Sequence, residues 1–194
     1  MTKRCDWCGK DPIYADYHDK EWGVPIHDDR LHFEMIILEG AQAGLSWITI
    51  LKRRESFLKA FDNFDVPKVS RYTDKKIEKL LTNPGIIRNR LKVNSTVQNA
   101  RSFLKIQKEF GSFDEYIWQF VNHRTIQNKW KKMSELPAKT AESDAMSEDL
   151  KKRGFSFVGS TICYAYMQAA GMVNDHTIDC FRYKEVKKMS GAGK

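Results

Sequence analysis

Histidine and cysteine, the residue types that hold transition metals, gather at the two ends of this chain. His176 and Cys180 are spaced i, i+4, which puts both side chains on one face of a helical turn at the separation of a zinc half-site. The N-terminal segment MTKRCDWCGKDPIYADYHDK offers Cys5, Cys8 and His18. Two thiolates and two imidazoles would close a tetrahedral Zn2+ site with no free position, which is a structural metal and not a catalytic one. Such a site would also tie a segment with little aliphatic core of its own to the end of the chain. Which N-terminal ligands take part is open. Cys5-x-x-Cys8 is by itself either a half-site or a redox pair, and Cys5 with His18 is the other choice. His27, His32 and His123 have no ligand spacing and read as solvated or core histidines.

A second kind of chemistry lies in MIILEGAQAGLSWITIL. Between Met35 and Leu51 the one ionisable carboxylate is Glu39. An acid among apolar neighbours either finds a hydrogen-bonding partner or has its pKa raised, and such residues mark functional sites. Tyr14, Tyr17, Trp22 and Trp47 could supply flat surfaces on which a planar base stacks. For Trp22 a plain core role is expected. Directly after Glu39 comes Gln42-Ala43-Gly44-Leu45, where a leucine beside a glycine could push into a base stack; a leucine in a short interhelical loop more often faces the core.

The stretch KKRGFSFVGSTICYAYMQAAGMVNDHTIDC carries the third signal. A basic helix end (Lys151, Lys152, Arg153) runs into Gly154. Gly159 follows five residues on, and Ser160 and Thr161 open an apolar helix that Gly171 closes. Free N–H groups at that helix start, beside three cations, suit a phosphate. A tight helical turn packed for its own sake would look similar.

The elements that must position these groups are helical. A short helix near Pro12–His18 and an apolar one from Leu31 to about Gly40 come first. Ser46 is expected to cap SWITILKRRESFLKAF, and Thr73 to cap a helix that Pro84-Gly85 ends. A long amphipathic helix then spans residues 86–110, with Ile87, Leu91, Val97, Phe103 and Ile106 apolar, and stops at Gly111. Ser112 and Glu115 form a capping box, residues 122–142 are polar and aperiodic, and Ser143 is expected to cap the helix leading to Gly154. No run alternates with period two, so the architecture is mostly α. The 194 residues suit one domain with a proper core. A net charge of +8 favours a polyanionic partner. Four cysteines are too few for a disulfide scaffold, and no apolar signal core or membrane-length segment is present. A reduced, cytoplasmic setting follows.

The stretches DPIYADYHDKEWGVP, LEGAQAGLSWITILKRRE, GIIRNRLK, WQFVNH and KKRGFSFVGSTICYAYMQAAGMVNDH, in register from about Cys5 to Cys180, closely resemble the 3-methyladenine DNA glycosylase I family of bacterial enzymes. The resemblance implies a helix-hairpin-helix DNA glycosylase fold and a monofunctional enzyme that releases 3-methyladenine from alkylated double-stranded DNA. It implies one structural Zn2+ held by Cys5, His18, His176 and Cys180, with Cys8 left out. It places base recognition and catalysis on Glu39, the aromatic pocket on Tyr14, Tyr17 and Trp47, and the filling of the flipped nucleotide's gap on Leu45 beside Gly44 and Gln42. DNA anchoring would fall on Lys152, Gly154, Gly159 and Thr161. Related glycosylases carry a catalytic aspartate close to the position of Asp175, and this family is understood to work without it. A single domain is expected over residues 1–183, with a zinc-tethered segment 1–30, a helical body 31–142 and the hairpin with its metal half-site over 143–180. A frayed basic tail, 184–194, would follow. The protein is expected to act as a monomer in the bacterial cytoplasm, at the nucleoid through DNA, without a protein partner. The rival reading is a zinc-stabilised helix-hairpin-helix module that binds DNA and does no chemistry.

Overall fold

The computed structural model describes residues 3–189. Eleven α-helices carry these residues: α1 (Pro12–Lys20), α2 (Asp29–Gln42), α3 (Trp47–Leu51), α4 (Arg54–Ala60), α5 (Val66–Val69), α6 (Asp74–Leu81), α7 (Arg90–Phe110), α8 (Phe113–Trp118), α9 (Ala141–Lys152), α10 (Ser160–Ala169) and α11 (Phe181–Met189). The mostly α expectation holds. The only β pairing among the described residues is a parallel two-residue contact of β1 (Ile126–Gln127) with β2 (Val173–Asn174), which fastens the polar segment after α8 to the chain that follows α10.

Local chemistry explains most boundaries. Asp11, Asp28, Thr73, Asn89 and Ser112 each accept a backbone N–H in the first turn of the helix they precede, so an orphan donor is satisfied at each start. Four expectations need correction. The helix expected after Ser46 divides into α3 and α4 at Lys52-Arg53, and the Ser46 hydroxyl meets Thr49 Oγ1 at 2.7 Å instead of a backbone donor. The long helix begins at Arg90, because Asn89 caps it, and Leu91 is 70 % exposed and not a core position. Thr140, not Ser143, caps α9; Ser143 is the third residue of that helix and returns the bond to the Thr140 N–H at 2.8 Å. The expected frayed tail is helical as far as Met189, and 190–194 lie outside the described residues.

α2 is the centre of the molecule. Every residue from His32 to Ala41 is buried, so this helix has no solvated face, as expected of a helix packed on all sides. It touches α3, α7, α8 and α10. α10 packs against both α9 and α2, and the turn between α9 and α10 seats Phe157 against Gly40. A Cβ built on Gly40 would lie 3.2 Å from Phe157 Cβ, closer than side chains normally approach. Asn99 of α7 holds the same turn by donating to the Ser156 carbonyl at 3.0 Å and accepting the Ser156 N–H at 2.8 Å.

Candidate active site and metal cluster

Cys5, His18, His176 and Cys180 converge in a buried cluster whose four ligand atoms lie within 4.8 Å of one another. The Cys5 Sγ–His176 Nδ1, Cys180 Sγ–His176 Nδ1 and Cys180 Sγ–His18 Nε2 separations are 3.6, 3.6 and 3.5 Å. A tetrahedron with Zn–S of about 2.3 Å and Zn–N of about 2.0–2.1 Å has S–N edges of about 3.5–3.6 Å, so the spacing suits zinc. The outer contacts fix both tautomers. His18 Nδ1 donates to Asp19 at 2.8 Å and His176 Nε2 to the Trp22 carbonyl at 2.9 Å, which turns the lone-pair nitrogen of each ring inward, as ligating histidines require. The hydrogen bond between the thiols, with the imidazoles beside it, draws Cys180 well below the usual thiol range and pushes Cys5 up. Cys8 stays outside: its thiol donates to the Cys5 carbonyl at 3.2 Å.

Glu39 lies on α2 beside a cavity of about 220 Å³. Tyr14, Tyr17 and Trp47 line it with Glu39, so these four residues are together. Gln42, Trp7, Trp22, Met133, Leu136, Ala165 and Gln168 complete the wall. Trp22 is buried as expected of a core residue, yet it also faces the cavity. The rings pack on one another, Tyr17 against Trp47 with centroids 5.5 Å apart and Trp7 against Tyr14 at 4.9 Å. Glu39 is 4 % exposed. Burial alone raises its pKa to about 8, and no hydrogen bond or ion pair to it occurs among the described residues. Glu34 of the same helix makes the contrast. It is equally buried, but Arg54 and Arg30 meet it at 2.6 and 2.8 Å. One buried acid is neutralised by the fold and the other is left facing a cavity. The indole N–H groups of Trp7 and Trp47 are also buried without a partner among the described residues, an arrangement that protein interiors otherwise avoid.

A groove of about 210 Å³ adjoins this cavity, lined by Glu39, Gln42, Ala43, Gly44, Leu45, Thr161, Ile162 and Ala165. Glu39, Gln42 and Ala165 belong to both spaces, so the carboxyl stands at their junction. Leu45 is 41 % exposed at the groove rim. In the turn between α9 and α10, Gly154 has φ +90° while Gly159 has an ordinary φ of −65°. No atom lies within 4 Å of a Cβ built on Gly159, so its small size serves nothing inside the protein. The first turn of α10 has no side-chain cap. Lys152 is exposed, 3.9 Å from Glu148. Arg153 is not available as a third phosphate cation: Asp149 and Glu109 hold it at 2.7 and 2.8 Å. Asp175 is saturated. Asn128 and Trp130 donate to one oxygen at 2.7 and 2.8 Å, and Tyr164 and Gln168 to the other at 2.6 and 2.7 Å.

Sequence reasoning missed Trp7, Met133, Leu136, Ala165 and Gln168. Trp7 had a signal, an aromatic residue inside the Cys-rich segment, as did Met133 and Leu136, apolar residues in an otherwise polar loop. Ala165 and Gln168 had none.

The family model described as methyladenine glycosylase matches residues 7–183. DNA-3-methyladenine glycosylase 1 of Escherichia coli (strain K12) is 49% identical over 181 residues, covering 93% of this chain and 97% of that protein. A crystal structure of 3-methyladenine DNA glycosylase I superposes with a TM-score of 0.91 at 48% identity, covering 92% of this chain and 98% of the other. A tyrosine-to-phenylalanine variant of such an enzyme, in complex with 3-methyladenine, superposes with a TM-score of 0.89 at 35% identity, covering 92% and 96%. With its helical fold and its buried acid in an aromatic cavity, this chain belongs to the methyladenine glycosylase family.

Proposed function

We propose that this protein is a base-excision repair enzyme that hydrolyses the N-glycosidic bond of 3-methyladenine in alkylated duplex DNA and leaves the strand uncut. The observation that carries the reading is Glu39: a buried carboxyl with no partner among the described residues, aimed at an aromatic cavity and standing where that cavity meets an open groove. A purine displaced from the duplex would stack in the cavity with its sugar in the groove, which sets the scissile bond near the junction. The substrate base is a cation. It leaves when the C1′–N bond breaks and its electrons neutralise the ring; water then bonds to C1′ and gives up a proton. Such a leaving group needs no strong general acid.

Discrimination follows from charge. With a pKa of about 8, Glu39 is mostly protonated at neutral pH in the free protein, and ionising it there costs about 1.4 kcal/mol per pKa unit. A cationic base offsets that cost by pairing with the carboxylate and by its attraction to the Trp47 face. Neutral adenine gains neither. Leu45, with Gln42 and Gly44, would fill the gap left in the duplex. The α9–α10 turn acts as a helix-hairpin-helix anchor, in which Gly154, Gly159 and the uncapped N–H groups near Thr161 meet phosphate with Lys152 nearby. Zn2+ bound by Cys5, His18, His176 and Cys180 would cross-link the two ends of the chain; it takes no part in the reaction. The protein works as a monomer in the cytoplasm, as one domain over residues 1–183, and among the described residues no helix is long and apolar enough to cross a membrane.

The test is release of free 3-methyladenine from methylated duplex DNA, wild type beside Glu39→Gln, with strand integrity followed on the same samples. Retention of the duplex with no base released would leave a zinc-bound module that grips DNA without chemistry.

A further inference from the structure

Lys92 lies in the first turn of α7, yet its ammonium serves α2. Nζ donates to the Ala41 carbonyl at 2.8 Å and to the Ala43 carbonyl at 2.7 Å. These two groups flank Gln42, one of the residues shared by cavity and groove, and they lie at the C-terminal end of α2, where carbonyls lack helical partners and a cation is favoured. No carboxylate pairs with Lys92 among the described residues, and burial alone depresses its pKa. Beyond Ala43 the chain turns sharply. Gly44 has φ +78°, and the Leu45 N–H returns to the Gln42 carbonyl at 2.6 Å. The segment Gln42–Leu45 is therefore held by the two carbonyls on Lys92 and by its own turn, and this holds Leu45 out at the groove rim.

We infer that Lys92 is a positioning residue for base extrusion, holding the turn that carries Gln42 and Leu45 in the shape needed to replace a displaced nucleotide in the duplex. The inference rests on the reading of the Glu39 cavity as the base pocket and of Leu45 as the residue that fills the gap. A preformed wedge does not have to be ordered while the duplex opens, and misplacing a group by about 1 Å can cost on the order of a hundredfold in rate.

Two substitutions test it, Lys92→Met, which keeps the aliphatic stem and removes the donors, and Lys92→Arg, which keeps donors. Each is measured for binding of free 3-methyladenine by tryptophan fluorescence and for single-turnover excision from methylated duplex. Lys92→Met is expected to lose about tenfold or more in duplex excision while binding the free base within about twofold of wild type, with Lys92→Arg recovering most of the loss. Unchanged duplex excision in Lys92→Met overturns the inference. Equal loss of free-base binding and excision also overturns it, because that is the mark of a general packing role. Should Lys92→Met not fold, Lys92→Leu, which also removes the donors, is read by the same criteria. A wild type that fails to bind the free base would instead refute the pocket assignment.

Discussion

Replacing Glu39 by glutamine keeps the side chain's shape and removes its charge. Burial raises the Glu39 pKa from 4.5 to about 8, so the folded protein holds this proton more tightly than the unfolded chain does. The associated stability is complete below pH 4.5 and is lost as pH rises through about 8. At about 1.4 kcal/mol per pKa unit, full ionisation of the buried group costs on the order of 5 kcal/mol. That is an upper bound, since a carboxylate beside a cavity draws in water. Glu39→Gln should therefore melt close to wild type near pH 4.5 and above it at about pH 9, by about 2–4 °C for each kcal/mol of penalty removed. Catalysis should move the other way. A hydrogen bond to a charged group is worth about 1.5–3 kcal/mol, so excision of the cationic base should fall by roughly 10- to 100-fold, with duplex affinity unchanged. Wild-type kcat/KM should climb with pH and level off above about 8, where the free enzyme carries the carboxylate; the variant should lack this limb. The assays are thermal melts at the two pH values and single-turnover base release across the range. Equal melting temperatures at the alkaline pH, or a flat wild-type profile, would refute the reasoning.

Other side chains give equally direct outcomes. Cys180→Ser should lose its metal, measured by elemental analysis, and its melting temperature should fall by about 10 °C or more, because metal-binding energy is folding energy. Cys8→Ser should keep both. Asp175→Asn turns part of a saturated acceptor into a donor among donors, so a stability loss of about 2–4 kcal/mol is expected in denaturant melts, with the excision rate per folded molecule retained. An excision rate reduced by orders of magnitude at unchanged stability would make Asp175 the catalyst instead. Gly171→Ala should yield no soluble folded protein, since the added Cβ would lie 2.4 Å from the backbone of Val24 and Pro25 at a φ of +68°; a wild-type circular dichroism spectrum would contradict this.

What could be read in advance was whatever depends on residue type. Only Cys and His make such a metal cluster, so its members stood out, though only the fold shows Cys8 turned away toward a carbonyl. Thr73 and Ser112 mark helix starts because capping is local, whereas Asn89, inside the span expected as helix, and Asp11 show their caps only in the fold. The division of α3 from α4 was hidden because apolar spacing continues across Lys52-Arg53 while the backbone does not. Leu91 misled for the opposite reason: its type suggested core, but the helix turns it outward. Glu39 was conspicuous as an isolated acid. Its meaning emerged only beside Glu34, whose charge is met by Arg54, twenty positions along the chain. Arg153 looked free to meet phosphate until α7 brought Glu109 to it. Lys92 acts through carbonyls about fifty positions away in sequence, and no local pattern announces it.

The aromatic wall has a consequence for how the protein comes to life. Trp7, Tyr14 and Tyr17 are synthesised long before His176 and Cys180, against which the neighbouring His18 is held. A nascent chain therefore has its stacking surfaces early and no finished slot in which to use them. If the cavity is the base pocket, competence to bind a base should arrive only when residues 5–18 meet residues 176–180.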